Sequence, residues 1–205
     1  MYDNHGFDSW APEYDADVSR SDREGEFPFA GYQAVLDKIV DAVLAAGGKR
    51  VLDIGFGTGK LACALYETGV EIWGQDYSDQ MRRLAGERMP HAHLFGGNFA
   101  QGLAQPLLEQ RYDAIVSTYA LHHLSHEDKL TFLRSLLPLL KDGGAIYVGD
   151  ISFETAEQME LCRSGAEDWD EEESYFTYEE MKEQFPASDY VPVSYCGGVL
   201  IIRQS

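Results

Sequence analysis

From Arg50 onward the chain alternates short apolar runs with amphipathic stretches, the pattern of a parallel sheet whose strands are joined by crossover helices. The runs predict strands over Arg50–Ile54, Glu71–Gln75, His93–Phe95, Ala114–Ser117 and Ala145–Gly149. The stretches between them predict helices over Lys60–Glu67, Asp79–Arg88, a short one near Ala104–Glu109, and Glu127–Leu139. Ahead of these, Val35, Leu36, Ile39 and Val43 share one face of a leading helix over about Tyr32–Ala45. Helix starts carry fitting chemistry: Ser78 and Ser125 stand at N-cap positions, Asp128 completes an imperfect capping box with Ser125, and Gly143-Gly144 frees the chain to turn into the fifth strand. After Asp150 the pattern changes. A charged helical segment runs to Ser174, Thr177 caps a helix through Phe185, and strands over Asp189–Tyr195 and Val199–Ile202 flank Cys196-Gly197-Gly198, a hairpin signal. This antiparallel pair closes an otherwise parallel sheet.

Composition narrows the picture. A chain of 205 residues with 44% apolar residues is one domain with one large core. Its longest uncharged apolar runs fall far short of the roughly 18 residues of a membrane span. The start, Met1-Tyr-Asp-Asn-His, has neither the basic residues nor the apolar stretch of a signal peptide, so a cytoplasmic protein is expected. Cys63, Cys162 and Cys196 are odd in number, widely spaced and without a CxxC, and read as small buried hydrophobes. Net charge is −19 and unevenly spread: residues 1–30 carry −6 and residues 150–190 carry −12, whereas 31–149 carry only −2. A field of that sign opposes nucleic acid and anionic membrane as partners.

The segment Val51-Leu-Asp-Ile-Gly55-Phe-Gly57-Thr-Gly59 passes directly from an apolar strand into a helix. Alternate glycines let the backbone turn tightly and meet a ligand with no Cβ in the way, which implies a nucleoside-bearing ligand. Counting from Gly55, the dinucleotide fingerprint would need a small residue where Lys60 stands. A phosphate-binding P-loop would need one more residue before Gly59-Lys60 and a Ser or Thr in place of Leu61. NAD, ATP and GTP are therefore disfavoured. At the end of the next strand Asp76 lies about 20 residues past the turn, placed to accept from both ribose hydroxyls, while Tyr77 and Met81 can cover an adenine face.

These residues resemble the class I S-adenosylmethionine-dependent methyltransferases. VLDIGFGTG is similar to motif I of that family, Gln75-Asp76-Tyr77-Ser78-Asp79-Gln80-Met81 to its acidic motif II, and Gly97-Asn98-Phe99 to the loop after strand three. Ser117-Thr-Tyr-Ala-Leu-His-His-Leu124 is similar to the segment after strand four, and Leu140-Lys-Asp-Gly-Gly144 to the turn before strand five. Phe7-Asp-Ser-Trp10 through Tyr14-Asp15 resembles the N-terminal lid of the small-molecule and quinone-methylating branch. The resemblance implies an α/β fold, a three-layer Rossmann-like sandwich around a seven-stranded, mostly parallel sheet with one antiparallel strand. It also divides the single domain into a lid and leading helix (1–46), a cofactor-binding core (47–150), an acidic substrate-side insertion and helix (151–187) and a C-terminal hairpin (188–205). S-adenosylmethionine is the implied cofactor and S-adenosylhomocysteine the product. Asp53 and Gly55 would sit by the methionine moiety, Gly57 would allow backbone approach, Asp76 would hold the ribose, and Tyr77, Met81, Asn98 and Phe99 would frame the adenine. Tyr14 would meet the carboxylate end or the sulfonium, and Ser117 would border the site at the end of strand four. Two positions depart from the family pattern. Asn98 replaces an acid, so its amide oxygen would accept the adenine amino group without charge and bind it less tightly. Asp142 replaces the proline of the turn before strand five, which bears on stability.

A sulfonium methyl is already activated, so transfer needs alignment, water exclusion and a base only where the nucleophile carries a proton. His122, whose ordinary pKa is about 6.5, is the candidate base; His123 follows it. The spacing of His122, His123 and His126 hints at metal, but no partner Cys or Glu is evident and none is expected. Ser117-Thr-Tyr-Ala is not the Asp/Asn-Pro-Pro-aromatic signature of nucleic-acid amino methylation, so base methylation by flipping is not expected. The acidic flanks fall on the substrate side, so the expected substrate is a small molecule that is cationic or amine-bearing. The alternative is a non-catalytic binder of S-adenosylmethionine or S-adenosylhomocysteine. Oligomeric state is not written in the sequence.

Overall fold

The computed structural model describes residues 18–166 and 168–204. Residues 18–24 are helical (α1) and are followed by α2 (Tyr32–Ala45). Then β1 (Arg50–Ile54), α3 (Lys60–Tyr66), β2 (Glu71–Asp76), α4 (Asp79–Arg88) and β3 (His93–Gly96) alternate, and α5 (Gln105–Leu108), β4 (Tyr112–Thr118), α6 (His126–Leu136) and β5 (Leu140–Phe153) complete the parallel part. The remainder is α7 (Ala156–Gly165), β6 (Phe176–Thr177), α8 (Tyr178–Gln184), β7 (Ser188–Pro192) and β8 (Gly197–Arg203). Seven strands run in the order β3-β2-β1-β4-β5-β8-β7, with β8 antiparallel to both neighbours and the two-residue β6 pairing off this path with the end of β5.

Both faces of the sheet are covered, which is why its strands are apolar throughout rather than alternating. Val51, Ala114, Val116, Ala145 and Tyr147 point to one core with α2, α3 and α4, whereas Leu52, Ile115, Ile146 and Val148 point to the other with α5, α6 and α8. Successive residues of one strand thus serve opposite layers, the period of two that a pleated backbone imposes.

Four expectations are corrected in detail. The helix drawn to Leu139 ends at Leu136 and continues as a single 3-10 turn over Leu137–Leu139, since Pro138 offers no N–H for an α-helical bond. Gly143, at φ 77, does turn the chain, but as an irregularity within β5, between the Tyr112↔Leu140 and Ala114↔Ala145 pairs. The charged segment is helical only to Gly165. Beyond it Trp169 leaves the helix path to stack on Phe27 at 5.5 Å and meet Tyr175 edge-on at 4.7 Å. Finally, the hairpin turn is Val193–Cys196: the Gly197 carbonyl accepts from both Val193 and Ser194 N–H at 2.9 Å, so Gly197 and Gly198 already belong to β8.

Candidate functional site

Strands β1 to β5 run parallel, and the order reverses between β1 and β4, the place where loops at the carboxyl ends of such strands part to leave a crevice. A cleft of about 380 Å³ lies there, walled by the glycine loop, the ends of β2 and β4, the Asn98–Ala100 turn and the acidic segment before β6.

The glycine loop needs its glycines for different reasons. At Gly55, φ 67, a Cβ would come within 2.6 Å of the Ala120 Cβ, so packing against the loop after β4 forbids one. At Gly57, φ 54, a Cβ would meet nothing within 4 Å; here the backbone is open to the cleft. Asp76 fixes this loop from β2. Its Oδ2 accepts from Gly57 N–H at 2.8 Å and its Oδ1 from Ser78 N–H at 2.9 Å, and the residue is only 8% exposed. Ser78 in turn caps α4 by accepting from Met81 N–H at 3.1 Å, which seats Met81 on the cleft wall.

Tyr77, Met81, Asn98 and Phe99 all line the cleft with Gly55, Gly57 and Asp76. Asn98 has a second duty, accepting from Ala100 N–H at 2.9 Å to cap the turn that carries Phe99, whose ring rests on Phe132 at 5.5 Å. Two expected residues are not on the wall. Ser117 is buried and donates its hydroxyl to the Ile54 carbonyl at 2.9 Å, tying β4 to β1. Asp53 is 1% exposed behind the wall, its Oδ1 has no hydrogen-bond partner, and burial, reinforced by the charge of Asp76, pushes its pKa up to about 8. Tyr14 lies outside the described residues.

The opposite wall is built around His122. Asp150, buried at the end of β5, accepts from His122 Nδ1 at 2.6 Å and is itself fixed by the N–H groups of Leu121, His122 and Ile151 at 3.1, 3.2 and 2.9 Å. That leaves Nε2 as the ring nitrogen turned toward Glu173, 3.6 Å from its Oε1. Burial pulls the His122 pKa down, yet the charge and hydrogen bond of Asp150, with Glu173 behind them, outweigh it and hold the imidazole above its ordinary value. The neighbouring His123 is pushed down to about 4 by burial and the His122 charge. Glu173 reaches this position because the residue after it is clamped: Ser174 N–H donates to the His122 carbonyl at 2.8 Å, and the buried Lys129 ammonium donates to the Ser174 carbonyl. Burial lowers Lys129 to about 8.

Tyr119 completes the cleft. It is the one non-glycine residue with positive φ among the described residues (48°), its ring lies 4.8 Å from Tyr32 and 5.5 Å from Phe29, and its buried hydroxyl has no partner. Sequence reasoning missed Tyr119, Asp150, Glu173 and Lys129. Asp150 could have been found as the acid at the end of a strand beside the order reversal, but Glu173 is one of several acids in its cluster and only the fold selects it.

Comparison with known proteins adds the following. Residues 51–144 match a family model described as a methyltransferase domain. An uncharacterized methyltransferase of Alkaliphilus oremlandii is 34% identical over 183 residues, spanning 89% of this chain and 81% of that one. Another, from Anoxybacillus flavithermus, is 36% identical over 154 residues, 75% and 69% of the two chains. Among solved structures, the magnesium protoporphyrin IX methyltransferase of Synechocystis PCC 6803 with bound SAH superposes with a TM-score of 0.69 at 18% identity, covering 98% of this chain and all of that one. The DhpI-SAM-HEP complex gives 0.69 at 17% identity, covering 98% and 95%. At such identities the structural likeness is one of fold.

Proposed function

The chain belongs to the methyltransferases, and from that premise we propose that it transfers a methyl group from S-adenosylmethionine to a small-molecule acceptor, amine-bearing or otherwise cationic, by in-line displacement. The residues present fit the cofactor. Asp76 and the open Gly57 backbone would hold the ribose hydroxyls, and Tyr77, Met81, Asn98 and Phe99 would frame the adenine. Gly55 would serve the methionine end from the wall, with Asp53 1% exposed behind it. Bound there, S-adenosylmethionine supplies a methyl group already activated by its positively charged sulfur. The chain's own work is then to align the acceptor, exclude water and take up a proton where the acceptor carries one. Asp150 holds His122 through Nδ1, so Nε2 carries the free lone pair of the neutral ring and is the atom placed to receive that proton. On this reading the core 47–150 holds the cofactor and the insertion 151–187 shapes the acceptor side of one domain.

The observation that carries the acceptor class is the company in the cleft: its lining includes the acids Asp170, Glu172 and Glu173 together with the aromatic residues Phe29, Tyr32 and Tyr119. Carboxylates with aromatic faces favour a cation, and the Lys60 ammonium already lies 5.2 Å from the Tyr32 ring centroid. Among the described residues no helix is long and apolar enough to cross a membrane, and a reducing, cytoplasmic setting suits the three free cysteines. The test is S-adenosylhomocysteine release from a panel of amine, hydroxyl and carboxylate acceptors. Turnover of amines, with KM rising as salt is added, is expected; turnover confined to anionic acceptors would sink the proposal.

A further inference from the structure

We propose that His122, His123 and Glu173 form a binding site for a divalent transition cation, with Zn²⁺ as its representative, opening into the same cleft. One ligand atom from each lies within 4.8 Å of the others. Glu173 Oε1 is 3.6 Å from His122 Nε2 and 3.8 Å from His123 Nδ1. Donors about 2.1 Å from a tetrahedral zinc stand roughly 3.4 Å apart, so both Glu173 distances already approach coordinating separation, and the two imidazole nitrogens lie within 4.8 Å of each other.

What distinguishes this cluster from a chance meeting of polar groups is that two of the three ligands, His122 and Glu173, are held by their other ends, while the His123 side chain is 33% exposed. The Asp150 carboxylate takes His122 Nδ1 at 2.6 Å, which orients the ring and leaves Nε2 as donor, the carboxylate–histidine arrangement that supports metal-bound imidazoles. Glu173 Oε2 accepts from the Tyr175 hydroxyl at 2.8 Å, leaving Oε1 for the cation, and the clamp on Ser174 keeps the residue in place. The side chains of His122 and Glu173 are 7% and 19% exposed, so the cation would be shielded from bulk water on the protein side. All three residues line the cleft, so a fourth position is open to water or to an acceptor atom. Two imidazoles and one carboxylate suit Zn²⁺ and its first-row neighbours; Mg²⁺ and Ca²⁺ prefer all-oxygen shells. A cation on Nε2 occupies the lone pair that would otherwise receive a proton, so cation binding and proton uptake at His122 exclude one another.

Binding can be read without turnover, so its failure would leave the acceptor proposal standing. The full chain, stripped with EDTA and desalted, is titrated with Co²⁺ and followed by visible absorption, with Zn²⁺ as competitor. The expected result is one equivalent of Co²⁺ giving d–d bands of low-coordinate intensity, displaced by Zn²⁺. His123→Ala and Glu173→Gln should each weaken Zn²⁺ binding at least about tenfold, with far-UV circular dichroism unchanged. The bands failing to appear, Mg²⁺ competing as well as Zn²⁺, or both variants binding Zn²⁺ like the parent would overturn the assignment and leave the cluster as a His122–Glu173 ion pair.

Discussion

Asp53, behind the cleft wall, and Tyr119, on it, are two buried side chains with unsatisfied polar atoms, and each makes a prediction about the ligand-free protein. The folded chain keeps the Asp53 proton up to about pH 8, whereas the unfolded chain releases it near the ordinary value of 3.8. Between those values the unfolded state binds fewer protons, so stability falls as pH rises through that window. Asp53→Asn removes the contribution, and its melting temperature should decline less from pH 5 to pH 8 than that of the parent; parallel curves would show that Asp53 is ionised in the fold. Tyr119→Phe removes a buried hydroxyl that has no partner. The variant should melt higher than the parent by the equivalent of about 1 kcal/mol, and a lower melting temperature would mean that the hydroxyl is hydrogen-bonded after all. The placement of Asp76 and Gly57 on the cleft wall was legible in the sequence because it depends on a strand end and a turn that neighbours in the chain define. Asp150 and Glu173 were not, because their meeting at His122 joins segments 28 and 51 positions away, which only the folded sheet brings together.

Helix and strand ends followed local chemistry wherever a cap or a breaker was present. The Ser78 cap and the bounds of α2, β1 and α4 came out as the pattern predicted. Thr177 does more than the sequence suggested: it accepts from Glu180 N–H at 3.3 Å, while the Glu180 carboxylate accepts from Thr177 N–H at 3.3 Å and from its hydroxyl at 3.0 Å. This capping box starts α8 where the short β6 ends, at a residue with no exposed surface. Thr177→Ala should therefore lower unfolding stability by about 1–2 kcal/mol in a urea titration, and a midpoint matching the parent would show that the box contributes nothing. The segment after Gly165 went the other way. Its charge pattern allowed a longer helix, but Trp169 gains more by packing on Phe27 and Tyr175, a tertiary contact with no local trace.

Over the whole molecule, charge and sheet order act together. The parallel strands bring the glycine loop, the end of β2 and the loop after β4 to one edge, and the acidic insertion after β5 closes over the same edge. Most of the net charge of −19 lies outside the near-neutral core, with −12 of it in residues 150–190. A small cation should therefore be drawn to the cleft, and its KM should rise when ionic strength goes from about 0.05 to 0.15 M, as the screening length shortens to about 8 Å. A KM independent of salt would assign the acids to solubility alone. The alternation of strands and helices was readable because buried parallel strands leave continuous apolar runs; the placement of β6 against β5 was not, since two residues carry no period. The central claim is that this cleft holds S-adenosylmethionine through Asp76, and calorimetric titration of the parent and of Asp76→Ala tests it most directly. Micromolar binding by the parent, weakened about 100-fold in the variant as expected for lost hydrogen bonds to a charged group, is the predicted result; no binding by the parent, or equal binding by both, would contradict it.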